Sequence, residues 1–250
     1  MSDFFLLLLA EPALLAGLAC VTIFIIYDAF TQKDMYAWLD RQSEPDKRLP
    51  LYNRTIRDLW ALAGITIICW FLSGRDLQSL GFVHDPSPAY WIITALIVIV
   101  IAYLVWQVVS LRTFPKARKG YREQLAGAGD ITLMQPETPA ELRRFILLSI
   151  TAGITEEIIF RGFLIGAFAL WFPIWLAGLL ASGLFIFAHA YQGIAGMVRL
   201  IPITLVFTIL FIVSGSLWPV IVLHIVIDIT SGLMLNIVHH HQESDQVSTQ

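Results

Sequence analysis

The stretch Ile150-Thr-Ala-Gly-Ile-Thr-Glu-Glu-Ile-Ile-Phe-Arg161 sets two glutamates and an arginine inside an otherwise apolar run. A charged side chain near the centre of a bilayer costs about 2.5–3.5 kcal/mol on insertion scales, so such residues face a polar interior and mark a site. Two later apolar runs carry their own polar groups: Phe185-x-x-x-His189 and His224-x-x-x-Asp228. Both have i, i+4 spacing, which puts each pair on one helix face. Left uncompensated, Glu156, Glu157, Arg161 and Asp228 would together cost on the order of 10 kcal/mol, comparable to the stability of a whole domain. The pattern predicts that these groups converge.

Outward from that stretch the chain is of the same kind. Of its 250 residues, 57% are hydrophobic and only 14% charged, whereas soluble domains are about a quarter charged. The reading is an integral, multi-pass membrane protein. A net charge of −3 with no basic, aromatic-laced patch gives no footing for nucleic acid. Cys20 and Cys69 fall in apolar runs and read as free packing residues. Segments long enough to cross about 30 Å of hydrocarbon are predicted over residues 12–30, 56–72, 90–111, 142–171, 175–190, 202–214 and 217–238, with 4–10 at the interface. The segment 142–171 can form one long helix or two pieces bent near Gly162. The fold class is all-α: a polytopic transmembrane bundle of about seven to eight helices. N-terminal helices and loops occupy 1–141, the site-bearing core 142–238, and a polar, disordered tail 239–250. His239, His240 and His241 read as part of that solvated tail.

The basic residues suggest an orientation. Residues 31–58 hold six Lys or Arg and 112–144 hold seven, against Arg75 alone in 73–89. The positive-inside bias then places both basic segments in the cytoplasm and the N-terminus outside, with Arg199 a topology charge at a cytoplasmic edge. No cleavable signal peptide is expected, because the N-terminus lacks a basic n-region.

Helical spacing divides the polar residues by task. Glu157 and Arg161 are i, i+4 and can pair, while Glu156 points about 100° away and stays available. A free carboxylate in a low-dielectric site suits general base chemistry on water, and a histidine from another helix can help hold that water. His224 and a polar group one turn later can stabilise an oxyanion on an attacked carbonyl. Polar residues can also merely join helices, but four ionisable groups and two histidines in three runs exceed that need. His189, His224 and Glu156 or Asp228 are acceptable zinc ligands. With no His-Glu-x-x-His helix, and with Arg161 beside the site, a metal-free mechanism is preferred, zinc being the alternative. No other cofactor is expected.

Glu156-Glu157-x-x-x-Arg161, Phe185-x-x-x-His189 and His224-x-x-x-Asp228, in that order on successive apolar segments, resemble the motifs of the CPBP family of intramembrane proteases, which includes CAAX prenyl endopeptidases and Abi-type bacteriocin-processing proteins. The resemblance covers about 142–238. It implies an intramembrane endopeptidase in which Glu156 is the general base on a water that His189 also holds, and Glu157 supports it, tied to Arg161. It further implies that His224 with residue 228 steadies the oxyanion and that Phe185 packs beside His189. The family's third motif often ends in Asn, whereas this chain has Asp228. An ionised Asp cannot donate a hydrogen bond, so Asp228 is expected to orient and polarise His224. The implied partners are the lipid bilayer and a peptide or membrane-protein substrate, a prenylated tail being one candidate and a bacteriocin leader another. Two other classes compete: a proton-coupled transporter or channel built on the same buried Glu, His and Asp, and a non-catalytic immunity or scaffold relative that binds a peptide. No inverted repeat with matching broken helices supports the transporter.

Overall fold

The computed structural model describes residues 10–84, 87–125 and 134–247, so residues 4–9 of the expected interfacial segment and part of the second basic segment lie outside it. The described residues form helices and no strand. In chain order the α-helices are α1 (Pro12–Asp40), α2 (Leu49–Leu72), α3 (Pro88–Thr113), α4 (Pro115–Leu125), α5 (Pro139–Glu156), α6 (Ile165–Phe168), α7 (Ile174–Ala188), α8 (Gly193–Ser214) and α9 (Leu217–Val247). Five spans, at 12–31, 49–72, 88–113, 190–214 and 217–241, are long and apolar enough to cross a membrane, and α7 is a shorter apolar helix.

Local chemistry explains many boundaries. Proline opens α1, α2, α3 and α5, where its missing N–H has no intrahelical partner to lose. Ser87 and Thr138 cap α3 and α5 by accepting from the amides of Tyr90 and Glu141. Gly215 ends α8 in the left-handed region at φ 64°, which a Cβ would disfavour. One expected boundary is corrected: Pro202 lies inside α8 instead of opening a helix. Neighbouring helices tolerate an interior proline at membrane depth. Arg199 accordingly sits in the second turn of α8. The helix carrying His224 also runs on through His239, His240 and His241 to Val247, where a disordered tail was expected.

The decisive element follows α5. Residues Glu157–Leu164 form a π-helix that passes without a break into α6, so 139–168 is one continuous helical rod. All eight π residues are buried. Phe163 fills the core above Gly17 and meets Trp70 edge-on at 6.2 Å. Such wide turns inside α-helices concentrate at functional sites.

The two ends of the bundle are tied separately. At one, the backbone N–H of Arg48 donates to Glu141 Oε1 (2.9 Å), its guanidinium to Glu137 (2.7 Å), and Tyr52 Oη to the Met134 carbonyl (2.7 Å). The Arg48 hydrogen bond holds the Glu137 carboxyl below its usual range. That contribution is therefore present at neutral pH and lost only as pH falls through the acid range. At the other end, Arg75 makes a double contact with Glu11 (2.8 and 3.0 Å), and the Leu217 amide donates to the Gly81 carbonyl (2.8 Å). The two basic segments thus meet at one end, opposite the 73–89 connection.

The crossing of α5 and α9 positions the site. A Cβ on Gly153 would come within 2.5 Å of Ile225 Cγ1 and 2.9 Å of the Ile225 amide nitrogen, so glycine permits near backbone contact one residue from His224. Gly153→Val is expected to lower the detergent melting temperature through overpacking of about 1–3 kcal/mol. Gly64→Ala, where a Cβ meets nothing within 4 Å, should leave the melt unchanged or raise it. Equal melts for the two variants would show that the close crossing is not formed.

Candidate active site

Six of the seven motif residues come from three places: Glu156, Glu157 and Arg161 from the junction of α5 with the π-helix, His189 from the residue that ends α7, and His224 and Asp228 from successive turns of α9. These six and Phe185 line one cavity of about 290 Å³. At the centre is Glu157, with no exposure to solvent. Its Oε1 accepts from Arg161 Nη1 at 2.9 Å and lies 2.7 Å from His224 Nδ1. Oε2 is buried without a hydrogen-bond partner among the described residues. Arg161 is held in turn between aromatic faces, 4.5 Å from the Phe185 ring centroid and 5.4 Å from that of Phe207. A guanidinium over aromatic rings gains cation–π attraction, most when desolvated.

Glu156 differs from its neighbour. Its side chain is 14% exposed against none for Glu157, and its nearest recorded ionic contact, His224 Nε2, is 3.9 Å away. That separation is too long for a hydrogen bond. Asp228 Oδ2 stands 3.6 Å from the same nitrogen and is 34% exposed. The hydrogen bond that fixes the His224 ring is therefore made by Glu157. Asp228, which the sequence suggested as the orienting group, stands beyond hydrogen-bond length on the other side of the ring. Phe207 packs edge-on against His224 at 5.5 Å.

The His189 ring has its tautomer set by geometry. Its Nδ1 is 2.9 Å from the Phe185 carbonyl oxygen, which can only accept, so Nδ1 carries hydrogen and the neutral ring presents Nε2 as an acceptor. The i−4 contact to its own helix also fixes the ring beside Phe185, the centroids lying 4.5 Å apart. Tyr191 packs on the other flank at 5.8 Å and accepts from Gln192 Nε2 at 3.2 Å.

Phe207, Tyr191 and Gln192 line the cavity although sequence reasoning did not single them out. Tyr191 and Gln192 lie just past His189 and could have been found by proximity. Phe207 sits in an apolar run among similar residues, and nothing marks it. No group of three or more His, Cys, Asp or Glu side chains arranged to hold a metal ion occurs among the described residues.

A buried carboxylate bridging an arginine and a histidine, beside a second carboxylate at a cavity within a bundle of apolar helices, defines a membrane-embedded site built for polar chemistry. Residues 138–230 match the family model of type II CAAX prenyl endopeptidase Rce1-like proteins, consistent with the CPBP family. The match spans all seven motif residues and supports a CAAX-type intramembrane protease at the level of the family. No curated protein and no solved structure matches the chain.

Arg161→Ala is expected to lower the melting temperature markedly, because removing one side of a buried pair typically costs about 3–5 kcal/mol. Arg161→Lys should recover only part of the loss, since an ammonium keeps the charge but not the planar stacking on Phe185 and Phe207. Full recovery by lysine would show that the rings contribute nothing.

Proposed function

We propose that the protein is an intramembrane endopeptidase that hydrolyses a peptide bond with a water held between Glu156 and His189. The observation that carries this reading is the contrast between the two glutamates: Glu157 is committed to Arg161 and His224, while Glu156 faces the cavity it shares with His189. Glu156 takes a proton from the water while Nε2 of His189 accepts the water's other hydrogen bond, and the water oxygen bonds to the carbonyl carbon. The oxyanion that results is met by His224, whose ring is anchored through Nδ1 on Glu157 and whose Nε2 looks toward the cavity side. The carbon–nitrogen bond then breaks as Glu156 returns the proton to the leaving amine. Asp228 faces His224 Nε2 and sustains positive charge on the ring during this step.

The rest of the cavity wall suits an apolar peptide. Met134, Phe145, Leu200, Ile203, Phe207 and Leu235 supply it, and such a surface accommodates hydrophobic side chains or an isoprenoid. A prenylated tail is therefore the first substrate class to test. Both basic segments meet at the end marked by Arg48, which under the positive-inside bias faces the cytoplasm and puts the N-terminus outside. No metal is required for this mechanism.

Glu156→Gln should abolish cleavage of a fluorogenic farnesylated CAAX peptide, by a factor of about 10²–10⁴ for a lost general base, and melt near wild type. Glu157→Gln should lower both activity and melting temperature, because it disturbs two buried contacts. An active Glu156→Gln enzyme would overturn the assignment. Elemental analysis of active, chelator-treated enzyme tests the metal clause. Near-stoichiometric zinc, with activity lost on its removal and restored by its return, would replace the water held by Glu156 with a metal-bound one.

A further inference from the structure

Behind the main cavity lies a second, smaller one of about 90 Å³. The two share Glu156, His189 and Tyr191, along with Thr55, Leu59 and Met134. The proposed base and its histidine partner therefore form part of the partition between two spaces. The large cavity is walled mainly by α5, α8 and α9, whereas the small one is closed by α1 and α2, which contribute Asp28, Arg54 and Asp58. These helices lie outside the matched segment 138–230. None of the three charged residues lines the large cavity.

The small space is mixed in character: ten of its lining residues are apolar, and seven are polar or charged and can hold water. A volume of about 90 Å³ is well above the roughly 10–15 Å³ that a single water needs, provided polar partners are present. Carboxylates, a guanidinium, an imidazole, a phenol and the Thr55 hydroxyl supply those partners. The chamber also borders partly exposed groups. Arg54 and Asp58, paired at 3.4 Å, have side chains 31% and 25% exposed, so the groups that line it also reach the surface of the bundle. The large cavity, once filled by a peptide with apolar side chains, leaves little passage for the second reactant.

Resting on the endopeptidase reading, we propose that the chamber between α1, α2 and the end of α7 is a separate water store that feeds Glu156 and His189 from behind while the peptide occupies the larger cavity. The N-terminal helices then have a catalytic purpose: they keep a polar supply line open beside an apolar substrate. Each turnover consumes one water, which the chamber replaces without release of the peptide.

Two variants test this. Ala188 lines only the small chamber, and Ala188→Leu fills it; Asp28→Leu removes a polar wall from the opposite helix, at a distance from His189 in sequence. Hydroxyl-radical footprinting by pulsed radiolysis of the purified protein reads internal water directly. Phe160 is 4% exposed and lines only the small chamber, so it should be oxidised in wild type and protected several-fold in either variant. With the farnesylated CAAX peptide, both variants should keep KM within about two-fold while kcat falls about ten-fold or more, since the nucleophile no longer waits beside its base. An unlabelled Phe160 in wild type would overturn the proposal, as would unchanged kcat in a variant that has lost the label. A raised KM with unchanged kcat would assign the chamber to the peptide and also overturn it. If wild type labels Phe160 yet cleaves none of the probe, the endopeptidase reading fails, and the feed falls with it while the chamber stands. Should Ala188→Leu fail to fold, Asp28→Leu carries both readouts.

Discussion

The site hangs on one oxygen atom, Glu157 Oε1, which faces Arg161 on its own rod and His224 on α9. A carboxylate with no exposure would be prohibitively costly alone, and so would the guanidinium beside it. Together, with an imidazole on the third side, the groups compensate one another and tie α9 to the rod that carries both glutamates. The same contact makes Glu156 useful. Because its neighbour absorbs the local charge and anchors the histidine, Glu156 keeps only a 3.9 Å approach to His224 Nε2 among the described residues.

The surrounding packing serves that contact. Gly153 lets α5 approach the backbone of Ile225, which brings His224 to hydrogen-bond distance of Glu157. The π-helix begins at Glu157, immediately after Glu156, and keeps Arg161 within reach of Glu157 while the rod continues into α6. Phe185 and Phe207 close over the guanidinium from α7 and α8. The π-helix, α7, α8 and α9 thus meet at the same few atoms. The helices that precede it tie the end of the bundle near Arg48 and wall the smaller chamber.

Much of this was legible in the sequence for one reason: charge in an apolar run is too expensive to be incidental. That rule singles out Glu156, Glu157, Arg161, His189, His224 and Asp228 before any coordinates. The i, i+4 spacing of Glu157 and Arg161 points to their contact because both lie on one helix. The partner of His224 was not legible. Asp228 is four residues away and looks suitable, yet the ring's hydrogen bond goes to Glu157, 67 positions earlier. Only the crossing of two helices decides that choice. Nor was the π-helix legible, since its residues are ordinary helix and membrane formers. Pro202 misled the reading because a proline at a helix start and one inside a packed membrane helix look alike in sequence.

The central claim is that Glu157 and His224 are energetically one unit. A double-mutant cycle on thermal unfolding in detergent, using Glu157→Gln, His224→Ala and the pair, measures it directly. The contact predicts a coupling of about 0.5–3 kcal/mol, the range for residues that share a network. Additive losses, agreeing within about 0.3–0.5 kcal/mol as independent positions do, would show that the two residues do not interact and would contradict the account.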